Sequence, residues 1–267
     1  MQNTNRQYAN RPFANRQSGF SLVELSIVVL IMGLILGGIA VPLAQQRDNA
    51  RIREAEAQVA MVQEALEGYL LVNGSLPCPA TPASGGLAAP NAGGCQRQHG
   101  FVPATTLDLA GSRNDDNLLL DPWNSPLRYS VTAVDGDGNG DWDFIHAADL
   151  RTVGLAALSP DLVVCRTAAG ASGTACGSAN ATLTNSTPLV IYSHGKDWAQ
   201  FSSADQVENA GANAGGGPSG ASYRVAGNGV FVSRGRSIQA GNEYDDVIGW
   251  LPANTVYKRL VDAGFVP

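Results

Sequence analysis

The sequence is poor in the residues on which most enzymes and nucleic-acid-binding proteins depend. Its three histidines have no metal-binding spacing, and it contains neither a phosphate-binding loop nor a dinucleotide-binding fingerprint. Basic residues number 17 against 23 acidic ones, and no block of lysine or arginine could follow a phosphate backbone. Ser193, His194 and Asp197 lack the strand-turn-helix glycines of a nucleophile elbow, so we interpret them as turn or sheet-end residues. The sequence therefore predicts neither an enzyme nor a nucleic-acid-binding protein.

The chain has four cysteines, and none of them forms a C-x-x-C pair. Zinc binding and thioredoxin-type chemistry are therefore disfavoured, and two disulfides are expected if the domain lies outside the cytoplasm. Four cysteines can pair in three ways. We favour Cys78–Cys95 and Cys165–Cys176, because each bond would close a glycine-rich loop and reduce its closure entropy by roughly 3 kcal/mol.

A long apolar run follows a cationic N-terminus. Residues 1–18 contain Arg6, Arg11 and Arg16 and no acidic residue, whereas Leu25–Ala44 carries no charge. A helix of about 20 apolar residues covers a hydrocarbon core of roughly 30 Å. Because positive residues stay on the cytoplasmic side, the N-terminus is predicted to lie inside and the remainder of the chain outside.

Two other interpretations of this run are weaker. A buried helix of a soluble protein would need neither such a length nor the glycine pair Gly37-Gly38 within it. A secretory signal peptide would be cut near Ala44, and Pro42 suits that position badly. Neither interpretation explains Glu24, a carboxylate almost at the start of the apolar run.

The residues around Glu24 offer an explanation. The stretch GFSLVE, Gly19 to Glu24, together with the apolar run behind it, resembles the cleavage and methylation motif of type IV pilins and type II secretion pseudopilins. The resemblance implies that an inner-membrane prepilin peptidase cuts between Gly19 and Phe20 and methylates the new amino group of Phe20. It also implies an α+β, pilin-like fold, in which a long N-terminal helix packs on an antiparallel β-sheet head with long loops.

The amino group created at Phe20 would give Glu24 a partner. A charge at bilayer depth costs roughly 2.5 to 3.5 kcal/mol on insertion scales, so an amine and a carboxylate both gain from pairing there. When helices pack side by side, Glu24 of one subunit can meet the Phe20 amine of its neighbour. Such a pair would set the axial stagger of the subunits as well as attract them.

The helix is predicted to continue past the apolar run as an amphipathic segment, residues 45–73. From Phe20 it would extend over about 53 residues and roughly 80 Å, with Pro42 marking a bend and Asn73-Gly74 the stop. A coiled coil is the alternative use of its apolar stripe, which we assign to Ile52, Ala55, Val59, Val62, Leu66 and Tyr69.

Residues 74–267 are predicted to form one β-rich head. We expect strands to begin at Leu127, Leu189, Gly229 and Asp246, and loops at 79–94, 166–187 and 202–220.

Three stretches of the head make the resemblance to major pseudopilins more specific. DPWNSPLRY, which starts at Asp121, is similar to the D-P-W-G-N-P-x-x-Y signature of major pseudopilins and departs from it at Asn124 and Ser125. YSHGKDW and EYDDVIGWL are similar to their last loop and strand. We expect an architectural role for the first motif, with a turn closed by Pro122 and Trp123 in the core.

One stretch of the head suggests a metal site. DGDGNGDWD matches the opening of a calcium loop, with Asp135, Asp137, Asn139 and Asp141 as candidate ligands. The twelfth position is His146 instead of glutamate, and the same residues also favour a hairpin turn. Separately, some major pseudopilins hold calcium in their C-terminal loop, and the resemblance then implicates the pair Asp245 and Asp246.

The sequence thus predicts a cationic prepilin leader (1–19), a transmembrane and filament-core helix (20–44), an amphipathic helix (45–73) and a β-rich head (74–267). The predicted function is that of a structural subunit of a type IV pilus-like filament. The alternative is a minor or tip pilin, or a pseudopilin, that binds a surface, DNA or a secreted substrate. The predicted partners are copies of itself and other pilins, the prepilin peptidase, an inner-membrane assembly platform and the membrane. Calcium is the one possible cofactor. The predicted location is the bacterial inner membrane before assembly and a periplasmic or extracellular filament afterwards.

Overall fold

The computed structural model describes residues 19–154, 157–199, 201–211, 224 and 227–265, and it describes residues 36–44 by their helical backbone alone. The chain divides into two compact units, Met1–Asp48 and Asn49–Pro267.

Helix α1 covers Leu22–Asn73, 52 residues. Its start lies two residues after the predicted one, and its end agrees with the stop predicted at Asn73-Gly74. The amide of Gly74 donates to the carbonyl of Leu70 at 2.8 Å, and this bond closes the last turn.

The rest of the described chain forms nine short strands and three further helices. The strands are β1 (Pro90–Asn91), β2 (Gly94–Cys95), β3 (His99–Phe101), β4 (Arg128–Val131), β5 (Leu162–Cys165), β6 (Thr182–Thr187), β7 (Leu189–Ser193), β8 (Val230–Val232) and β9 (Val247–Leu251). The helices are α2 (Ala147–Val153), α3 (Ala204–Ala210) and α4 (Ala253–Asp262).

The head contains two sheets and a small hairpin in place of the single antiparallel sheet that was predicted. The larger sheet is antiparallel with strand order β3-β4-β7-β9. The second sheet has the order β6-β5-β8, and β5 pairs in parallel with β8. Strands β1 and β2 form the hairpin. The α+β class is confirmed, and the predicted antiparallel arrangement holds for the larger sheet but not for β8, which pairs in parallel with β5.

All three of the predicted loops contain regular structure. The β1–β2 hairpin begins within the loop predicted at residues 79–94. Strand β6 occupies the end of the loop predicted at residues 166–187, and α3 lies within the loop predicted at 202–220. Strand β5, Leu162–Cys165, was not predicted at all. All four of its residues are buried, so it lacks the alternation of polar and apolar residues by which strands were identified.

The C-terminal part of α1 packs on the larger sheet. Residues at spacings of three and four are buried there, while the intervening charged residues stay exposed. The Nε2 of Gln63 donates to the carbonyl of Trp250 in β9 at 3.0 Å and fixes the helix over that strand. The amphipathic segment is therefore confirmed, and the stripe is used within the head and not in a coiled coil. Four members of the predicted stripe are buried, whereas Ile52 and Tyr69 are only half-buried and Leu70 is buried in place of Tyr69. The four are Ala55, Val59, Val62 and Leu66.

Both predicted disulfides are present. Cys78 is bonded to Cys95 and Cys165 to Cys176, with Cα–Cα distances of 5.3 and 5.6 Å. The first bond joins the segment after α1 to strand β2. The second holds the loop that follows β5. The bonds thus secure the long connections that surround the sheets.

A buried polar group lies where the two sheets meet. His99 of β3 approaches Phe231 of β8 with 6.2 Å between ring centroids, and its Nδ1 is 2.9 Å from Ser130 Oγ. The guanidinium of Arg224 stacks on the Phe231 ring at 4.0 Å. Burial, and then the charge of Arg224, lower the pKa of His99 well below its usual value.

The lowered pKa of His99 predicts that the head loses stability in acid. Below about pH 6.5 the unfolded chain takes up a proton that the folded His99 does not bind, so the free energy of unfolding falls with pH by about 1.4 kcal/mol per unit. His99→Gln should therefore show a shallower decline between pH 6.5 and 5 than the wild type. Urea unfolding of both proteins at several pH values measures this difference. Buried aspartates act alike in both proteins, so equal slopes would contradict the prediction.

Candidate functional site

The N-terminal segment starts α1 with a capping serine. The Oγ of Ser21 accepts a hydrogen bond from the Glu24 amide at 3.1 Å, and the Ser21 carbonyl accepts one from the Leu25 amide at 3.1 Å. Glu24 thus lies in the first turn, where the positive end of the helix dipole favours a carboxylate. The S-x-x-E spacing typical of a capping box could have identified Ser21 in the sequence.

The apolar residues that follow are uncovered on all sides. Every residue from Gly19 to Ile35 is exposed, including Phe20 at 83 % and Leu34 at 70 %. A helix that is apolar all round is stable only where lipid or other apolar helices surround it. Residues 19–35 therefore require an apolar environment that the described residues of the first unit do not supply.

Within the part of the chain that the structure describes, no helix is both long and apolar enough to cross a membrane.

Several predicted features fall outside the described residues. Residues 1–18 of the leader are among them. So are the side chains of residues 36–44, which include the predicted bend at Pro42. The backbone is assigned to α1 through that region.

Comparison with known proteins agrees with the geometry of this segment. Residues 14–40 match the family described as the prokaryotic N-terminal methylation motif. The chain is 30 % identical over 127 residues to the type II secretion system core protein G of Pseudomonas aeruginosa, and this match covers 78 % of that protein and 45 % of the present chain. The chain belongs to the pilin and pseudopilin family. No solved structure is significantly similar to it.

Membership of the pilin and pseudopilin family determines the general role of the chain. Members are structural subunits and not enzymes, and the family implies assembly with other pilins into a filament. The prepilin motif also implies that the chain is anchored in a membrane before assembly.

The DPW stretch forms a turn, and this turn is hydrogen-bonded to the YSHGKDW stretch of the head. The Oδ1 of Asp121 accepts hydrogen bonds from the amides of Trp123 and Ser125, both at 2.9 Å, and Oδ2 accepts one from Ser193 Oγ. Trp123 is buried, as predicted. Asn124 has a φ of 62°, a left-handed conformation that asparagine tolerates where the pseudopilin signature has glycine. The departure from the signature therefore preserves the turn, and Ser193 is a structural partner of Asp121.

A C-terminal acidic group forms at the end of this head. One carboxylate oxygen from each of Asp197, Asp245 and Asp246 lies within 4.8 Å of the others. Gln206 Nε2 donates to both oxygens of Asp197, at 2.8 and 2.9 Å, and to Asp245 at 3.1 Å. Asn209 Nδ2 donates to Oδ2 of Asp246 at 2.6 Å, whereas Oδ1 of Asp246 is buried without a hydrogen-bond partner among the described residues.

Two carboxyl groups of the C-terminal acidic group have raised pKa values, although the charges of Arg234 and Arg236 act in the opposite direction. Burial raises the pKa of Asp245 to about 7, and the hydrogen-bonded Asp197 carboxylate adds to this effect. Burial also raises the pKa of Asp246 well above its usual value. Oxygen ligands at this spacing suit a hard cation such as calcium. The sequence pointed to Asp245 and Asp246 but missed Asp197, although Asp197 lies in the YSHGKDW stretch that the resemblance had singled out.

The other predicted metal site has a different set of members. Asp135 and Asp137 lie together as expected, and Asp143 completes the group in place of Asp141. Asp141 lies beside Gly93 of the hairpin instead. The Oδ1 of Asn139 accepts a hydrogen bond from the amide of Asp141 at 2.7 Å. Asp143 is the last residue of DGDGNGDWD, and it continues the spacing of aspartates at alternate positions that Asp135 and Asp137 begin. That spacing could have identified it in the sequence.

Proposed function

We propose that the chain is a structural subunit of a type IV pilus-like or pseudopilus filament, cut after Gly19 by a prepilin peptidase and N-methylated at Phe20. Its N-terminal helix then assembles with those of neighbouring subunits. The observation that carries this proposal is the exposed apolar helix with Glu24 in its first turn, within the matched methylation motif.

Charge pairing between neighbouring subunits would stabilise the assembled N-terminal helices. Glu24 is exposed and lies in the first turn, so the amino group of a processed Phe20 would lie only a few residues away on the same chain. In a bundle of apolar helices each carboxylate can meet the amine of a neighbour at little cost in desolvation. The segment would thus serve as membrane anchor before assembly and as filament core afterwards.

The disulfides support the proposed topology. Such bonds form and persist in oxidising compartments and are rare in the cytoplasm. Both bonds lie in the second unit, which on this proposal is outside the inner membrane, with the N-terminus of the precursor inside.

The mature N-terminus tests the proposal most directly. We expect protein isolated from the producing cell to begin with N-methylated Phe20, because the peptidase both cuts and methylates. Mass spectrometry of the N-terminal peptide measures this. A mature chain that begins near Gln45 would contradict the proposal, because it would show cleavage as a secretory signal peptide.

A second candidate is a minor or tip subunit whose loops bind another molecule. The match to core protein G covers 45 % of the chain, so more than half of this chain lies beyond it. Filament reconstruction separates the candidates, since a main subunit repeats along the filament and a tip subunit occurs in rare single copies.

We also propose that the C-terminal acidic group holds calcium, as the loop of some major pseudopilins does. The support is its three converging carboxylates and the buried, unpartnered oxygen of Asp246. Asp197, Asp245 and Asp246 would be the protein ligands, and the bound ion would neutralise them and tie the last loop to β9.

A further inference from the structure

The acidic loop, Asp135–Asp143, holds a second group of carboxylates in the head, with no residue in common with the C-terminal acidic group. Five aspartates and no lysine or arginine occur from the start of this loop to Asp149. One carboxylate oxygen from each of Asp135, Asp137 and Asp143 lies within 4.8 Å of the others. Exposed acidic clusters are common, so the convergence of these residues is not by itself a site.

The burial of Asp143 distinguishes this loop from an ordinary acidic surface. Its side chain is 0 % exposed. Its Oδ2 accepts a hydrogen bond from the Gly136 amide at 2.9 Å, whereas Oδ1 is buried and has no hydrogen-bond partner among the described residues. A carboxylate oxygen in this position must hold a proton or meet a cation, because a buried unpaired charge is costly.

Asp149 of helix α2 is a further carboxylate linked to this loop. The Nδ2 of Asn139 donates to Oδ2 of Asp137 at 3.3 Å and to Oδ1 of Asp149 at 3.4 Å, so a single amide joins the loop to helix α2. Oδ2 of Asp149 is also buried and unpartnered within the described chain. Arg151, the next cation along the sequence, donates instead to the carbonyl of Phe265 at 3.1 Å.

The loop backbone is already ordered around Asp135. Its carboxylate accepts hydrogen bonds from the amides of Gly138, Asn139 and Gly140 at 2.7, 3.1 and 2.9 Å. Gly140 has a φ of 94°, which a residue with a side chain rarely adopts. This order lowers the entropy that binding of an ion would cost.

We propose that the acidic loop binds one calcium ion through Asp135, Asp137 and Asp143, with Asp149 completing the carboxylate set. Calcium accepts six to eight oxygen ligands in flexible geometry, whereas magnesium needs a near-ideal octahedron and zinc prefers nitrogen and sulfur. The bound ion would join the loop to α2 and, through the bond of 2.9 Å from the Trp142 amide to the Gly93 carbonyl, to the β1–β2 hairpin. Its affinity should fall in the range of extracellular calcium modules, with a Kd of roughly 0.1 to 1 mM.

Terbium luminescence tests this site in the full chain purified in detergent. Terbium replaces calcium at such sites and luminesces when a nearby tryptophan is excited. Trp142 lies between two aspartates of the loop, so we expect terbium luminescence that calcium displaces. Asp135→Asn and Asp143→Asn should each weaken calcium binding to the acidic loop at least tenfold. Each should also remove the part of the calcium-induced rise in unfolding temperature that this loop contributes. The matched control is Asp115→Asn with Asp116→Asn, an exposed acidic pair elsewhere in the head, which should leave the affinity unchanged.

The variants also separate the alternatives. If Asp143 merely holds a proton, Asp143→Asn will bind calcium as tightly as the wild type and will be stabilised by calcium to the same extent, which overturns the proposal. If Asp246→Asn removes all calcium binding while Asp135→Asn and Asp143→Asn keep it, the ion belongs to the C-terminal acidic group alone, and the proposal fails. Neither result bears on filament assembly, which is measured separately.

Discussion

Glu24→Gln is expected to remove filament assembly while leaving membrane insertion and cleavage intact. Glutamine keeps the shape of the side chain but not its charge, so in the proposed assembly the Phe20 amine of the neighbouring subunit would be left unpaired among apolar helices. The cost of such a charge, roughly 2.5 to 3.5 kcal/mol, corresponds to a factor of about 100 in each subunit contact. Filament yield in sheared or purified fractions, compared with the amount of processed subunit in the membrane, measures the effect.

A matched control is available on the same helix. Glu54 is exposed in the amphipathic part of α1, and Glu54→Gln removes one carboxylate without touching the first turn. This variant should assemble like the wild type. Normal filament yield from Glu24→Gln would contradict the pairing argument, and a loss of processed Phe20 in that variant would show that Glu24 acts on cleavage instead.

The features that the sequence predicted well are those encoded by neighbouring residues. The apolar run, the stripe from Ile52 to Tyr69 and the stop at Asn73-Gly74 all depend on helical spacing or on a single local conformation, and the structure confirms the helix that they define. Only the last member of the stripe is displaced, since Leu70 is buried in place of Tyr69. The two disulfides close short loops, so their pairing also followed from local chain entropy.

The features that the sequence did not predict depend on contacts between distant segments. Strand β5 is buried along its whole length, and its parallel pairing with β8 crosses a long connection that no local pattern encodes. Asp197 meets Asp245 only because the loop after β7 folds back beside β9. Likewise, Asp141 and Asp143 are equivalent by spacing, and burial alone selects Asp143 as the residue that faces Asp135.

Gly249→Val is expected to destabilise the head by about 3 kcal/mol, near the upper end for overpacking of a core. Gly249 lies in β9 directly under α1. A Cβ at this position would overlap the Cγ1 of Val59 and lie 3.3 Å from the Cδ of Gln63. The strand cannot move away easily, because Gly249 lies opposite Ile191 in the central pair of the five that join β9 to β7. Urea unfolding of the variant, followed by circular dichroism, measures the loss.

The overlap with Val59 can be isolated by a double-mutant cycle. Gly249→Ala and Val59→Ala should each destabilise the head, the first by crowding and the second by leaving a cavity, whereas the double variant should lose less than the sum of the two. Gly235→Val is the control, since Gly235 is exposed and a Cβ there would meet nothing within 4 Å. Additive losses in the cycle would show that α1 does not depend on this glycine for its close approach to β9. A coupling between the two substitutions would show that Gly249 allows the amphipathic helix to pack closely on the head.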